Sequence, residues 1–183
     1  MAFNINEIRS QLALGGARQS LFQVTIQNPA NATADLKVPF LVKTAQLPAS
    51  TLGIIEVPYF GRKVRLAGDR VFNPWTVTVI NDEDFLIRNS MEQWVNSINS
   101  LEGNLRTTGG SAPSLYKAQA QVVQYSKTGT PIRTYEFNGL FPTLITEIEV
   151  SWESVDQIEE FQIEFQYDYW TVSGPTGLSL IHI

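Results

Sequence analysis

The sequence predicts a mainly β fold of the α+β kind, an antiparallel β-sandwich or barrel with one packed helix. Three observations carry this. First, the second half alternates apolar and polar residues over long stretches. Phe161, Ile163, Phe165, Tyr167 and Tyr169 stand against Glu160, Gln162, Glu164, Gln166 and Asp168, and Ile148, Val150 and Trp152 against Glu147, Glu149 and Ser151. Period-two alternation gives a strand one core face and one wet face. Second, Lys127-Thr128-Gly129-Thr130-Pro131 reads as the turn of a hairpin between two such runs. Third, a single long stretch, from Asp82 to Gly103, has helical spacing instead.

In chain order, a short helix opens the molecule. Asn4 or Asn6 caps it, Ile5, Ile8 and Leu12 share a face, and Gly15-Gly16 ends it. Leu21 to Ile26 is a strand, and Asn28 to Asp35 is a polar loop with Pro29. Leu36 to Gln46, rich in apolar and β-branched residues, is a second strand stopped by Leu47-Pro48. Ala49 to Arg70 is the least regular stretch, punctuated by Gly53, Pro58, Gly61 and Gly68, and reads as a long excursion or loose hairpin. Excursions of this length from a compact domain usually have a function. Trp75 to Ile80 alternates cleanly as a strand. Asn81 or Asp82 then caps the helix, which presents Phe85, Met91, Trp94, Val95, Ile98 and Leu101 on its spacing. Ser114 to Tyr125, Ile132 to Phe141, Thr146 to Trp152 and Ile158 to Val172 complete the strands. Nothing marks a domain boundary, so 1–183 reads as a single domain.

Composition removes whole classes of function. The chain has 183 residues and no cysteine, and its one histidine is His182. Thiolate metal sites, disulfides and cysteine nucleophiles are excluded, and a two-histidine metal site cannot be built within one chain. A Ser-His-Asp triad would depend on that tail residue. With 13 basic and 18 acidic side chains, net −5, the chain lacks a basic nucleic-acid footprint. No run of about 18 apolar residues exists to cross a bilayer. No cofactor is expected.

The remaining candidates for chemistry have plainer readings. Glu147, Glu149, Glu160, Glu164 and Asp168 could be paired catalytic carboxylates, the solvated face of two strands, or the lining of a water-filled lumen. The solvated face is the preferred reading. Thr107 to Ser111 lacks the Gly-Lys-Ser/Thr ending of a phosphate loop and reads as a flexible loop. Gly68-Asp69-Arg70 reads as a sharp charged turn with a local ion pair or Asx-turn. Trp75, Trp94 and Trp152 sit on apolar phases and are expected in the core, with Trp170 open between core and surface. A binding or structural role therefore outranks an enzyme.

Several phrases, in order, resemble the tail tube proteins of contractile-tailed, myovirus-type bacteriophages. The central match is Ala67-Gly68-Asp69-Arg70, Phe72, Trp75-Thr76-Val77-Thr78-Val79 and Asn81-Asp82-Glu83. Around it stand Leu21-Phe22-Gln23-Val24, Leu47-Pro48-Ala49, Arg62-Lys63-Val64, Gly139-Leu140 with Pro142, and Asp168-Tyr169-Trp170. The resemblance covers roughly Leu21 to Trp170.

That resemblance implies six-membered rings stacked into a tube inside a contractile sheath, each copy lending four strands to an inner barrel. The tube conducts the genome into the host and catalyses nothing. About 24 strands at ~4.8 Å spacing and a tilt near 40° give a backbone diameter of roughly 48 Å, wide enough for a duplex. Implied partners are further copies of the chain, the sheath, baseplate or tube-initiating and terminator proteins, a tape-measure protein inside, and phage DNA in transit without specific binding. The expected location is the virion tail, after assembly in the host cytoplasm. An acidic wall would repel DNA phosphates where a basic one would hold them, so Glu147, Glu149, Glu160 and Glu164 are expected to line the lumen. Lys117, Gln119 and Gln121 form a competing polar face. The segment 49–68 corresponds to an inter-ring loop, with Ile54, Ile55, Val57, Tyr59 and Phe60 buried between rings and Asp69 and Arg70 paired there. Residues 1–20 form an N-terminal helical arm and 172–183 a C-terminal tail. The second reading is the tube of a phage-derived contractile injection or type VI secretion machine carrying protein effectors.

Overall fold

A computed structural model describes residues 5, 8, 16–107 and 110–174. Within the opening arm, Ile5 and Ile8 are helical and exposed, and Gly16 takes φ +79°. The other predicted residues of that helix, Thr108-Gly109 and the tail from Pro175 through Ile183 lie outside the described residues.

Two four-stranded antiparallel sheets face each other. The first runs β1 (Phe22–Ile26), β6 (Ala118–Tyr125), β7 (Pro131–Ile145), β9 (Tyr169–Ser173). The second runs β2 (Val42–Ala45), β5 (Trp75–Ile80), β8 (Glu160–Gln166) and the last residues of β7. Strand β7 therefore belongs to both, pairing with β6 and β9 up to Leu140 and with β8 from Phe141.

The alternation of each strand explains its place. On β5, Trp75, Val77 and Val79 are buried while Thr76, Thr78 and Ile80 face outward. On β8, Phe161, Ile163 and Phe165 are buried opposite them. From the first sheet come Val24, Ile26, Ala120, Val122 and Phe137. The centre is aromatic. Trp75 stacks on Phe137 with ring centres 4.3 Å apart, and Phe137 meets Tyr167 edge-on at 5.0 Å. Such pairs add to the area term by about 0.5–1.5 kcal/mol each. The indole N–H of Trp75 donates to the Gln46 carbonyl, so its polar end is satisfied.

Helix α2 (Leu86–Ile98) packs Ile87, Ser90, Met91 and Trp94 inward, with Trp94 reaching Phe165 and donating to the Tyr116 carbonyl. It starts four residues later than Asp82, with Phe85 at the N-cap at φ +50° and no side-chain cap of its own, while Asp84 Oδ1 accepts from the Leu86 N–H. Phe85 and Leu101, expected on its buried face, are exposed. The helix ends at Ile98, before Gly103.

A polar knot ties α2 to the first sheet. Buried Asn28 donates through Nδ2 to the carbonyl and hydroxyl of Ser90, and its Oδ1 accepts from the N–H groups of Ala30 and Asn31. The Asn28 N–H donates to Asp35 Oδ2 at 3.2 Å. Burial pushes the Asp35 carboxyl up, and the Asn28 N–H offsets only part of that. The folded state thus holds that proton more tightly than the unfolded chain. The stability it adds falls as pH rises from the ordinary carboxylate range through the raised value. Asp35→Asn keeps the acceptor and removes the charge. It is expected to melt above the parent near pH 7 and level with it below about pH 4; a pH-independent difference in thermal melts would refute this.

Five expectations change. Of Leu36 to Gln46 only Val42–Ala45 is strand, because Pro39 opens a helical turn, α1 (Val38–Leu41). Proline suits a first helical turn and would cost a ladder bond in a strand. Pro113 likewise sets a turn, α3 (Pro113–Tyr116), ahead of β6. Ala49 to Arg70 is regular after all. It forms β3 (Ser50–Tyr59) and β4 (Arg62–Phe72), paired with each other and with no other described strand. Thr146 to Trp152 is not a strand. After Thr146 donates to the Gln162 carbonyl the chain leaves the sheet, and alternation with no strand alongside it makes no ladder. Ile148 still packs on the core, but Val150 and Trp152 are exposed, Trp152 at 103%. Finally, Ile158 to Val172 breaks at Tyr167-Asp168 and crosses from the second sheet to the first.

That crossing is locked at one corner. Gly139 takes φ +70°, and a Cβ there would lie 2.1 Å from Asp168 Oδ2. The Asp168 N–H donates to the Asn138 carbonyl, and its carboxylate accepts from Lys117 Nζ at 2.6 and 2.7 Å. Two strands change sheets side by side here, β7 near Gly139–Pro142 and β8 to β9 at Tyr167-Asp168.

Candidate interaction surfaces

Hairpin β3–β4 projects from the sandwich, between β2 and β5. Register assigns its faces. Ile55 pairs with Leu66, Val57 with Val64 and Tyr59 with Arg62, so one face is apolar with a cation at its tip end. The other face alternates with it and carries Ile54, Glu56 and Pro58 opposite Ala67, Arg65 and Lys63. Glu56 bridges both Lys63 and Arg65. The five residues expected between rings are thus outside the monomer core and all exposed, but they do not share a face. Ile54 lies on the charged side, and Phe60 sits in the turn.

The turn itself is costly. Phe60 and Gly61 have φ +43° and +77°, the signature of a two-residue type I′ connection. Asparagine or glycine fits the first position without strain. A phenylalanine there, 90% exposed and edge-on to Tyr59 at 4.7 Å, is unfavourable in the isolated chain.

Gly68-Asp69-Arg70 is a bulge in β4, not a turn. Register slips between the Leu52–Arg70 and Ile54–Ala67 pairs, and Gly53 faces Gly68 across it. A Cβ on Gly68 would lie 3.1 Å from the Gly53 backbone, so side chains would force the strands apart there. Asp69 and Arg70 are successive residues of one strand and point to opposite faces, so they make no ion pair with each other or with any other described residue.

The expected lumen acids separate. Glu160 and Glu164 share the outer face of the second sheet with Gln162, Thr76 and Thr78. Lys43 neutralises Glu160 at 2.6 Å. Glu147 and Glu149 lie on the irregular segment 146–159 and share no strand face with them. The competing face belongs to the first sheet, where Gln23, Gln119, Gln121, Glu136 and Asn138 point outward, while Lys117 is taken by Asp168. Among the described residues no cluster of histidine, cysteine or carboxylate side chains could hold a metal ion, and no helix is long and apolar enough to cross a membrane.

Comparison with known proteins accounts for this architecture. The family profile described as phage tail tube protein matches residues 11–173. Tail tube protein gp19 of Enterobacteria phage T4 is 38% identical over 155 residues, covering 84% of this chain and 90% of the relative. The tail tube protein of Serratia phage KSP90 is 29% identical over 168 residues, covering 89% and 93%. Two solved structures share the fold at low identity. A chain of the anti-feeding prophage tube-terminating cap has TM-score 0.64 at 18% identity, covering 87% of this chain and 91% of that one. A chain of the sheath–tube complex of the extracellular contractile injection system PVC has TM-score 0.60 at 15% identity, covering 94% and 99%. The phrases that carried the resemblance fall on structural necessities: the bulge at Gly68, the core indole of Trp75, and the corner of Gly139 and Asp168. The chain belongs to the phage tail tube protein family and is a structural component of a contractile phage tail.

Proposed function

We propose that six copies of this chain close into a ring, that rings stack into the inner tube of the tail, and that the tube conducts phage DNA into the host. The observation that carries this is hairpin β3–β4, a regular two-stranded arm with an apolar face that no other described strand of its own chain covers. Such a face has a use only in an assembly. Among the described residues each sheet has four strands and two free edges, so either can supply the four that an inner barrel takes from each copy, and closure removes the exposed edges.

The 38% identity to a phage tube protein favours DNA over protein effectors as cargo. The partners follow from the role: sheath outside, baseplate or initiating proteins below, a terminator above, and a tape-measure protein within during assembly in the host cytoplasm. The chain catalyses no reaction.

Residues 49–68, the greater part of the hairpin, make the inter-ring contact. The second sheet lines the channel, where Glu160 and Glu164 keep phosphates from binding. Negative-stain microscopy over a concentration series, with and without baseplates, is expected to show hollow tubes; their absence in both would overturn the reading. The lumen is tested on the same tubes. The chain has no cysteine, so Gln162→Cys and Gln121→Cys each give one thiol. A small maleimide is expected to label both. A polymer-linked maleimide too large for the channel is expected to label Gln121→Cys alone, and the reverse pattern puts the first sheet inside.

A further inference from the structure

Segment 146–159 carries five acidic side chains and no lysine or arginine. None of the five makes an ion pair with any described residue, and only Glu159 is held by a neighbour, accepting from Asn81 Nδ2. Among them Val150, Trp152, Val155 and Ile158 are exposed, and the whole Trp152 side chain stands in solvent. An indole is among the largest apolar surfaces a chain can offer, and a sandwich with a packed aromatic core has no folding reason to leave one out.

The hairpin has the opposite character. It carries four cations against two carboxylates in a chain of net −5. Its apolar face of Ile55, Val57, Val64 and Leu66 ends at Arg62, which has no ionic partner among the described residues. No hydrogen bond or ion pair joins the hairpin to segment 146–159 within the described chain. The two surfaces are complementary in charge and both apolar, yet they do not meet within one molecule.

We infer that segment 146–159 of one copy docks on the apolar face of hairpin β3–β4 of another, with Trp152 against Val57 and Val64 and its flanking carboxylates around Arg62. This rests on the tube reading and names what the hairpin meets. The two surfaces are different, so the contact is heterologous: it repeats from copy to copy and does not close on a two-fold dimer. Tube growth needs that property. It also gives Trp152 a part in the hairpin's contact, with Phe60 beyond it at the tip.

Two measurements test it on the full chain. Trp152 touches no core residue, so Trp152→Asp is expected to melt with the parent yet form no tubes at tenfold the concentration at which the parent does. Tubes at the parent's concentration would overturn the contact. In the second, Val57→Cys and Ser151→Cys are combined and treated with a short bis-maleimide after assembly. A ladder of multimers on a denaturing gel is expected, absent for either single variant. Tubes that assemble and give no ladder would remove this contact and leave the tube reading standing, with another virion protein as the cover for Trp152. If the unmodified chain forms no tubes, with or without baseplates, both readings fall together.

Discussion

With the hairpin excised, Thr51–Val71 replaced by a short Gly-Ser turn, the chain folds and forms no tubes at any concentration. Ser50 and Phe72 are register partners, so their Cα atoms lie about 5 Å apart and a few residues close the gap. The excised side chains contribute none of the buried core, and Phe72, which meets Tyr167 at 5.8 Å, is kept. Stability is therefore expected to change by no more than roughly 1 kcal/mol. Polymerisation should be lost outright, since the arm carries a long apolar face away from the sandwich with no other described strand against it. Thermal melts and negative-stain images decide it. A truncated chain that unfolds shows the arm belongs to the monomer fold, and one that still builds tubes shows that the inter-ring contact lies elsewhere. Phe60→Asn separates strain from contact: it relieves the positive φ and should raise the melting temperature slightly while weakening assembly.

The largest loss of monomer stability is expected at the sheet-crossing corner. Gly139→Val places a β-branched residue at φ +70° and drives a Cβ into the Asp168 carboxylate. The backbone term alone is about 1–3 kcal/mol. Displacing Asp168 adds the loss of its Lys117 pair, a half-exposed bridge worth roughly 0–1 kcal/mol. A total near 1–4 kcal/mol corresponds to a fall of about 2–16 °C in a domain of this size. Combining it with Asp168→Ala should recover the steric part and leave the backbone part. A Gly139→Val chain melting within about 2 °C of the parent would show that the corner relaxes freely.

Much of the fold was legible because local pattern and tertiary use agreed. Trp75 to Ile80 alternates, and it does so in a sandwich that buries its odd phase. The 126–130 turn needed a glycine, and Gly129 has φ +79°. Legibility failed where a short-range signal had two uses. Pro39 lies inside a run that reads as strand and Pro113 directly ahead of one, yet each starts a helical turn. Residues 146–152 alternate as well as any strand, yet the chain leaves the sheet there and no strand lies beside them. That alternation groups the glutamates at 147 and 149 with 160 and 164, but the ladder ends at Ile145 and the two pairs part.

By itself the sequence determined the family, the β class, the absence of thiol and histidine chemistry, and which residues can be apolar neighbours along one strand. Those properties follow from residue type and spacing within a few positions. Only the tertiary structure decided that 50–72 is a regular arm, that Ile54 faces away from Ile55 and Val57, that Asp69 and Arg70 point to opposite faces of that arm, and that Trp152 lies outside the core. Each of these depends on which strand lies beside which. Periodicity says that a face exists, whereas register and the neighbouring layer decide what that face meets.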